Sequence, residues 1–89
     1  MTFEQYITAA NIIERLVVTD AKASDLLFEA LGYQRKANSF NDLENAEAQQ
    51  YNGYYRDTMR RCANRIVTLT GLDRIVVCRA LATVVSDLL

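Results

Sequence analysis

Between Ala48 and Leu69 the apolar residues Ala48, Tyr51, Tyr55, Met59, Cys62, Ile66 and Leu69 recur at steps of three and four. That spacing lines up side chains on one face of an α-helix and scatters them across both faces of a strand. The pattern predicts a long helix from Asp42 to a stop at Gly71, roughly 43 Å if unbroken. Gly53 lies inside it, where glycine costs roughly 1 kcal/mol relative to alanine, so the helix is open to a kink near Asn52-Gly53.

The rest of the chain carries similar signals. Thr2 followed by Gln5 forms a capping box, and Phe3, Tyr6, Ile7, Ala10, Ile13 and Val17 then repeat at helical spacing. A second line, Ala9, Ile12 and Leu16, widens the apolar face and leaves Glu4, Thr8, Asn11 and Arg15 as the wet stripe. Thr19 or Asp20 can cap a second helix that turns Leu26, Leu27, Ala30 and Leu31 inward and stops at Gly32. Tyr33 to Ser39 is polar and reads as a loop, and Asn41 with Glu44 offers another capping box. Asp73 opens a last helix in which Ile75, Val76, Leu81, Val84, Val85 and Leu88 make it apolar nearly all round. RIVTL at 65–69 and RIVVC at 74–78, rich in β-branched residues and joined by T-G-L-D, could instead pair as a hairpin. Neither run alternates strictly and each extends a helical pattern, which favours helices. The fold expected is all-α: one domain over residues 1–89, a small bundle of about four helices.

The 89 residues have room for one core. A formal charge of −1 conceals an asymmetry: residues 1–47 hold eight acids against four bases, and 48–89 hold three acids against six arginines. Opposite potentials of this kind steer encounter, either with separate acidic and basic partners or between two copies head to tail. Cys62 and Cys78 have neither a Cys-x-x-Cys spacing nor a second pair, so no zinc site is expected. Both lie in apolar helical patterns and are expected to be reduced and buried, which suits a cytoplasmic protein. Glu4, Glu14 and Arg15 break any signal peptide, and Asp73, Arg74, Arg79 and Asp87 break any membrane span at the C-terminal end.

With no histidine in the chain, Ser-His, Cys-His and histidine-metal chemistry fall away together. The three glycines are isolated, so there is no phosphate-binding loop. Asp42, Glu44 and Glu47 suit a solvated first turn favoured by the helix dipole. No cofactor, metal or catalytic residue is expected, and the chain reads as a non-enzyme.

Recognition is a better prospect. The run from Tyr51 to Arg65 packs three tyrosines and four arginines into fifteen residues. Tyr54 projects off the apolar seam, while Arg56 with Arg60 and Arg61 with Arg65 form i,i+4 pairs on its flanks. Tyrosine and arginine dominate binding hot spots because each joins a large contact area to a polar tip. Tyr54, Arg56, Arg60, Arg61 and Arg65 are therefore the candidate contacts for a protein partner with an acidic surface. The same mixture would stack bases and neutralise phosphates, a weaker prospect at pI 5.3. Leu72 to Leu89 holds twelve apolar residues in eighteen, more than one packing face needs, and could support a homodimer through the C-terminal helix.

Within residues 63–81, G71-L-D-R-I-V-V-C-R-A-L81 resembles the turn and recognition helix of helix-turn-helix DNA-binding domains. The resemblance covers about eleven residues. It implies that Gly71 forms the turn, that Val77 and Leu81 are buried anchors, and that Asp73, Arg74, Cys78 and Arg79 face the groove of DNA, with Arg74, Cys78 and Arg79 the binding candidates. Val67 and Thr70 depart from the pattern, and Ile75 and Val76 would lie exposed on the reading face. The preferred expectation is a small regulatory or inhibitory protein that works by binding another protein, of a kind common in phages and mobile elements; the alternative is a DNA-binding transcription regulator.

Overall fold

The computed structural model describes residues 2–41 and 45–88. Four helices follow one another: α1 (Phe3–Thr19), α2 (Ala21–Asn38), α3 (Ala46–Thr70) and α4 (Arg74–Leu88), with no strand among the described residues. The all-α bundle is as expected, and residues 65–79 form the end of α3, a turn and the start of α4 rather than a hairpin. The bundle measures 40 × 26 × 18 Å.

α1 opens on the expected capping box, with the Gln5 N–H donating to Thr2 Oγ1 at 3.1 Å and the Thr2 N–H to Gln5 Oε1 at 3.0 Å. It buries Ala9, Ile13 and Val17 and exposes Glu4, Thr8, Asn11 and Arg15. Phe3 and Ile7, expected inside, are exposed, as is Ile12. The reason is position: α1 packs mainly on α2 and α4 and barely meets α3, so a face wider than half its circumference cannot be covered.

Asp20 alone joins α1 to α2. Its N–H closes α1 on Leu16 O at 2.9 Å, and its Oδ2 caps α2 by accepting from the Ala23 N–H at 2.9 Å. α2 does not stop at Gly32; it continues to Asn38, and the polar segment from Tyr33 is helical. A glycine ends a helix when it takes a left-handed conformation, and Gly71 is the one described residue with positive φ, at 69°. The extension is held instead by tertiary contact. Ala37 is buried and Tyr33 packs its ring against Tyr51 and Tyr54 of α3.

α2 and α3 make the most extensive interface in the bundle. Asp20 meets Arg65, Ala23 O accepts from Cys62 Sγ at 3.6 Å and Tyr33 meets Tyr51, so the two helices run antiparallel. Steps of seven from the Ala23–Cys62 contact bring Ala30 opposite Tyr55 and Ala37 opposite Ala48. Ala23, Ala30, Ala37 and Ala48 are buried, and such small residues allow the two backbones to approach closely. Of the expected α3 seam, Ala48, Cys62 and Ile66 are buried, Tyr51, Tyr55 and Met59 are half-buried, and Leu69 is exposed, while Thr58 and Ala63 join the core.

Asn45 caps α3, its Oδ1 accepting from the Glu47 N–H at 2.8 Å. The expected start at Asp42, and Glu44 of the expected Asn41–Glu44 capping box, lie outside the described residues. Helical hydrogen bonding runs through Gly53 without a break, so the 25-residue α3 spans about 37 Å. Gly71 then closes α3, its N–H donating to Val67 O at 2.8 Å, and Asp73 Oδ1 accepts from the Ile75 N–H at 2.8 Å to start α4. α4 buries Val76, Val77, Ala80, Leu81 and Val85 against the other helices.

A methyl group added at Gly32 or Gly53 would meet nothing within 4 Å. Gly32→Ala and Gly53→Ala should therefore each raise the unfolding free energy by about 0.5–1 kcal/mol in urea titrations, because alanine restricts the unfolded chain. Gly71→Ala should lower it by about 1 kcal/mol, because alanine pays for positive φ. A loss of stability at Gly32 would contradict a continuous α2.

Candidate functional site

The five residues of the tyrosine–arginine run do not form one surface. Tyr54 and Arg61 stand seven residues apart on the flank of α3 that faces α2, and Arg56 with Arg60 lie on the flank that faces α4. Tyr54 belongs to an aromatic cluster, its ring 5.4 Å from Tyr33 and edge-on to Tyr51 at 5.8 Å, with its hydroxyl accepting from Gln50 Nε2 at 2.7 Å. Phe40 stacks on Tyr51 at 6.3 Å and Lys36 lies 5.9 Å from the Phe40 ring centre. Arg61 borders an open hollow with Lys22, Leu26, Asn64, Arg65 and Thr68.

Arg65 is committed to the fold. Its Nε donates to Asp20 Oδ2 and its Nη2 to Asp20 Oδ1, both at 3.0 Å. The paired hydrogen bonds from Arg65, the Ala23 N–H and the guanidinium charge together hold the Asp20 carboxyl at about 2, below its ordinary 3.8. The Arg65 guanidinium is raised by the same bonds.

Arg56 and Arg60, in contrast, meet residues from the other sequence candidate. The groove between α3 and α4 has a volume of about 270 Å³ and is lined by Tyr55, Arg56, Met59, Arg60, Ala63, Arg74, Cys78, Leu81 and Ala82. Its floor is apolar: Ala63 and Leu81 are buried, and Tyr55 and Met59 are half-buried. Its rim carries three exposed guanidinium groups, two from one turn of α3 and one from the first residue of α4. Arg60 reaches Asp57 at 3.7 Å in a well-exposed pair of little energetic weight. Arg74 lines the groove and donates to Oδ1 of Asn64, a residue outside the groove lining. Such a site can seat an apolar side chain while its rim pairs with flanking carboxylates.

The residues carried over from the helix-turn-helix pattern divide in another way. Gly71 makes the turn, Val77 and Leu81 are buried, and Arg74, Cys78 and Arg79 are exposed. Ile75 is exposed, but Val76 is buried, contrary to the expectation that both would lie open.

The two cysteines also differ. Cys62 is buried, as expected, and its thiol is pushed up to about 11 by burial and by the nearby Asp20 charge. Cys78, expected to be buried too, is exposed on the wall of the groove. The apolar pattern of α4 covers nearly its whole circumference, so periodicity could not say which side the neighbouring helices would leave open. Among the described residues no three His, Cys, Asp or Glu side chains gather as a metal site, and no helix is long and apolar enough to cross a membrane.

Sequence reading missed Tyr55, Met59 and Ala82 as groove residues, since a lining shared by two helices leaves no trace in the spacing of either. It could find Arg56, Arg60 and Arg74 singly, because an arginine on the polar side of a helix stands out; that they share one rim depends on how α3 and α4 pack.

Two measurements check this description. Alkylation of the native protein with iodoacetamide should add one group, at Cys78, and unfolding in urea should expose a second at Cys62, read by intact mass. Because the folded Asp20 pKa is below its unfolded value, the stabilisation from the Asp20–Arg65 pair is complete above about pH 5 and is lost as the pH falls towards 2. Thermal melts of an Asp20→Asn variant should start lower at neutral pH and fall less than those of the parent between pH 5 and 2.

No family model matches the chain, and none of the curated proteins or solved structures compared with it matches either.

Proposed function

We propose that this chain is a small non-enzymatic regulatory or inhibitory protein that acts by binding another protein, and that the groove between α3 and α4 is its docking site. One observation carries the reading: Arg56, Arg60 and Arg74 converge from two helices on the rim of an apolar floor. Three like charges around one hollow repel each other and are stabilised when an anionic partner closes over them. The apolar floor adds the hydrophobic contact that a purely ionic surface lacks. The partner this chemistry selects presents one or two apolar side chains between carboxylates, as on an acidic amphipathic helix.

A second reading, a DNA-binding regulator, draws on the burial of Val77 and Leu81 beneath an exposed Arg74, Cys78 and Arg79. It places those three side chains against DNA and predicts binding that weakens steeply with salt.

The two are separated by fluorescence anisotropy with two labelled probes, an amphipathic helical peptide of alternating Leu/Phe and Glu faces, and a random-sequence DNA duplex. The expected result is micromolar binding of the peptide, weakened about tenfold or more by Arg56→Glu with Arg60→Glu and little changed by Arg79→Gln. Arg65 is left intact in these variants because its replacement would break the pair with Asp20. Preferential, salt-sensitive binding of the duplex, lost in Arg74→Gln with Arg79→Gln, would overturn the protein-docking reading in favour of the second.

A further inference from the structure

Away from the groove, Val18, Phe28 and Leu88 expose 68%, 60% and 47% of their surface. They come from three different helices and surround a shallow hollow of about 330 Å³ that Glu14 and Asp87 also line. Single exposed apolar residues are ordinary, but three large ones gathered from α1, α2 and α4 mark a contact surface.

The electrostatic sign of this patch is opposite to that of the groove. Glu14 and Asp87 border it, and among the described residues neither is ion-paired. Val18 and Leu88 sit in the last turns of α1 and α4, where unsatisfied carbonyls leave the negative end of the helix dipole, and neither last turn holds a basic residue. The groove carries three arginines, with Arg74 at the positive, N-terminal end of α4. The two linings share no residue, so one molecule can use both surfaces together.

We propose that the arginine-rimmed groove of one copy of this chain receives the Val18–Phe28–Leu88 patch of a second copy, giving head-to-tail self-association; this rests on the groove being a protein-docking site. Phe28 supplies the apolar side chain for the floor, and Glu14 and Asp87 face the arginines. Because the two surfaces differ, the contact is heterologous. Each added copy leaves one groove and one patch free, so assembly continues past the dimer unless the rotation closes a ring.

The test is sedimentation velocity over about 10–500 μM, a range suited to a small interface. The expected wild-type mass rises with concentration beyond that of a dimer. A groove variant, Arg56→Glu with Arg60→Glu, and a patch variant, Val18→Ser with Phe28→Ser, should each be monomeric with an unchanged circular dichroism spectrum. Mixed one to one, they should form a dimer and nothing larger, because each retains one working surface. Glu14→Lys with Asp87→Lys, which leaves the apolar contacts intact, should act as the patch variant does and keeps the test valid if the serine variant unfolds. A wild type that stays monomeric while the acidic peptide still binds would overturn self-docking and leave the groove reading standing. Failure of the peptide as well would overturn both. A mass that stops at dimer, with the mixed variants failing to associate, would overturn the heterologous geometry.

Discussion

Much of this bundle depends on one carboxylate. Asp20 ends α1 through its backbone N–H, starts α2 through its side chain, and ties the corner between them to Arg65 on α3. The three roles reinforce one another. A corner of a single residue would otherwise be a flexible joint, and the bidentate bond to Arg65 restricts the direction in which α2 leaves it. Once that direction is set, the alanines spaced by seven along α2 meet α3 in one register, and Cys62 falls against Ala23.

That register determines which arginines remain available. Arg65 faces Asp20 and Arg61 sits beside it, whereas Arg56 and Arg60 rotate to the opposite flank and look towards α4. Half of the arginines in the second half of the sequence thus collect in one place. Three basic side chains of the second half gather around the α3–α4 groove, and two carboxylates border the patch where α1, α2 and α4 meet. Like charges gathered in one place cost the folded state a little through repulsion, which the exposed Arg60–Asp57 pair offsets only weakly and which binding an opposite charge relieves. The groove is therefore a better candidate for recognition than Tyr54, whose ring is already packed on Tyr33 and Tyr51.

The sequence was most legible where a local rule acts alone. The Thr2–Gln5 capping box, the long helical pattern ending at Gly71 and the helical character of 65–69 and 74–78 all rest on contacts within about four residues, and all appear in the structure. It was least legible where two local rules conflicted or where a partner element decided the outcome. Gly32 carries a stop signal, yet the packing of Tyr33 and Ala37 on α3 outweighs it and α2 gains about two turns. Phe3 and Ile7 carry an inward signal on α1, yet among the described residues both stay exposed.

What the residues determined by themselves is the kind of molecule: four helices from apolar spacing and caps, the absence of histidine-based chemistry, and a strongly uneven distribution of charge along the chain. These follow from interactions between near neighbours or from composition, so they need no knowledge of the fold. The tertiary structure alone decided that Arg65 is part of the framework, that Arg56 and Arg60 share a groove with Arg74, that Cys78 is open while Cys62 is sealed, and that Val18, Phe28 and Leu88 adjoin. Each of these depends on which faces of separate helices meet. That is set by the Asp20 corner and the close approach of α2 to α3, a constraint that joins residues dozens of positions apart and leaves no periodicity in the sequence to be read.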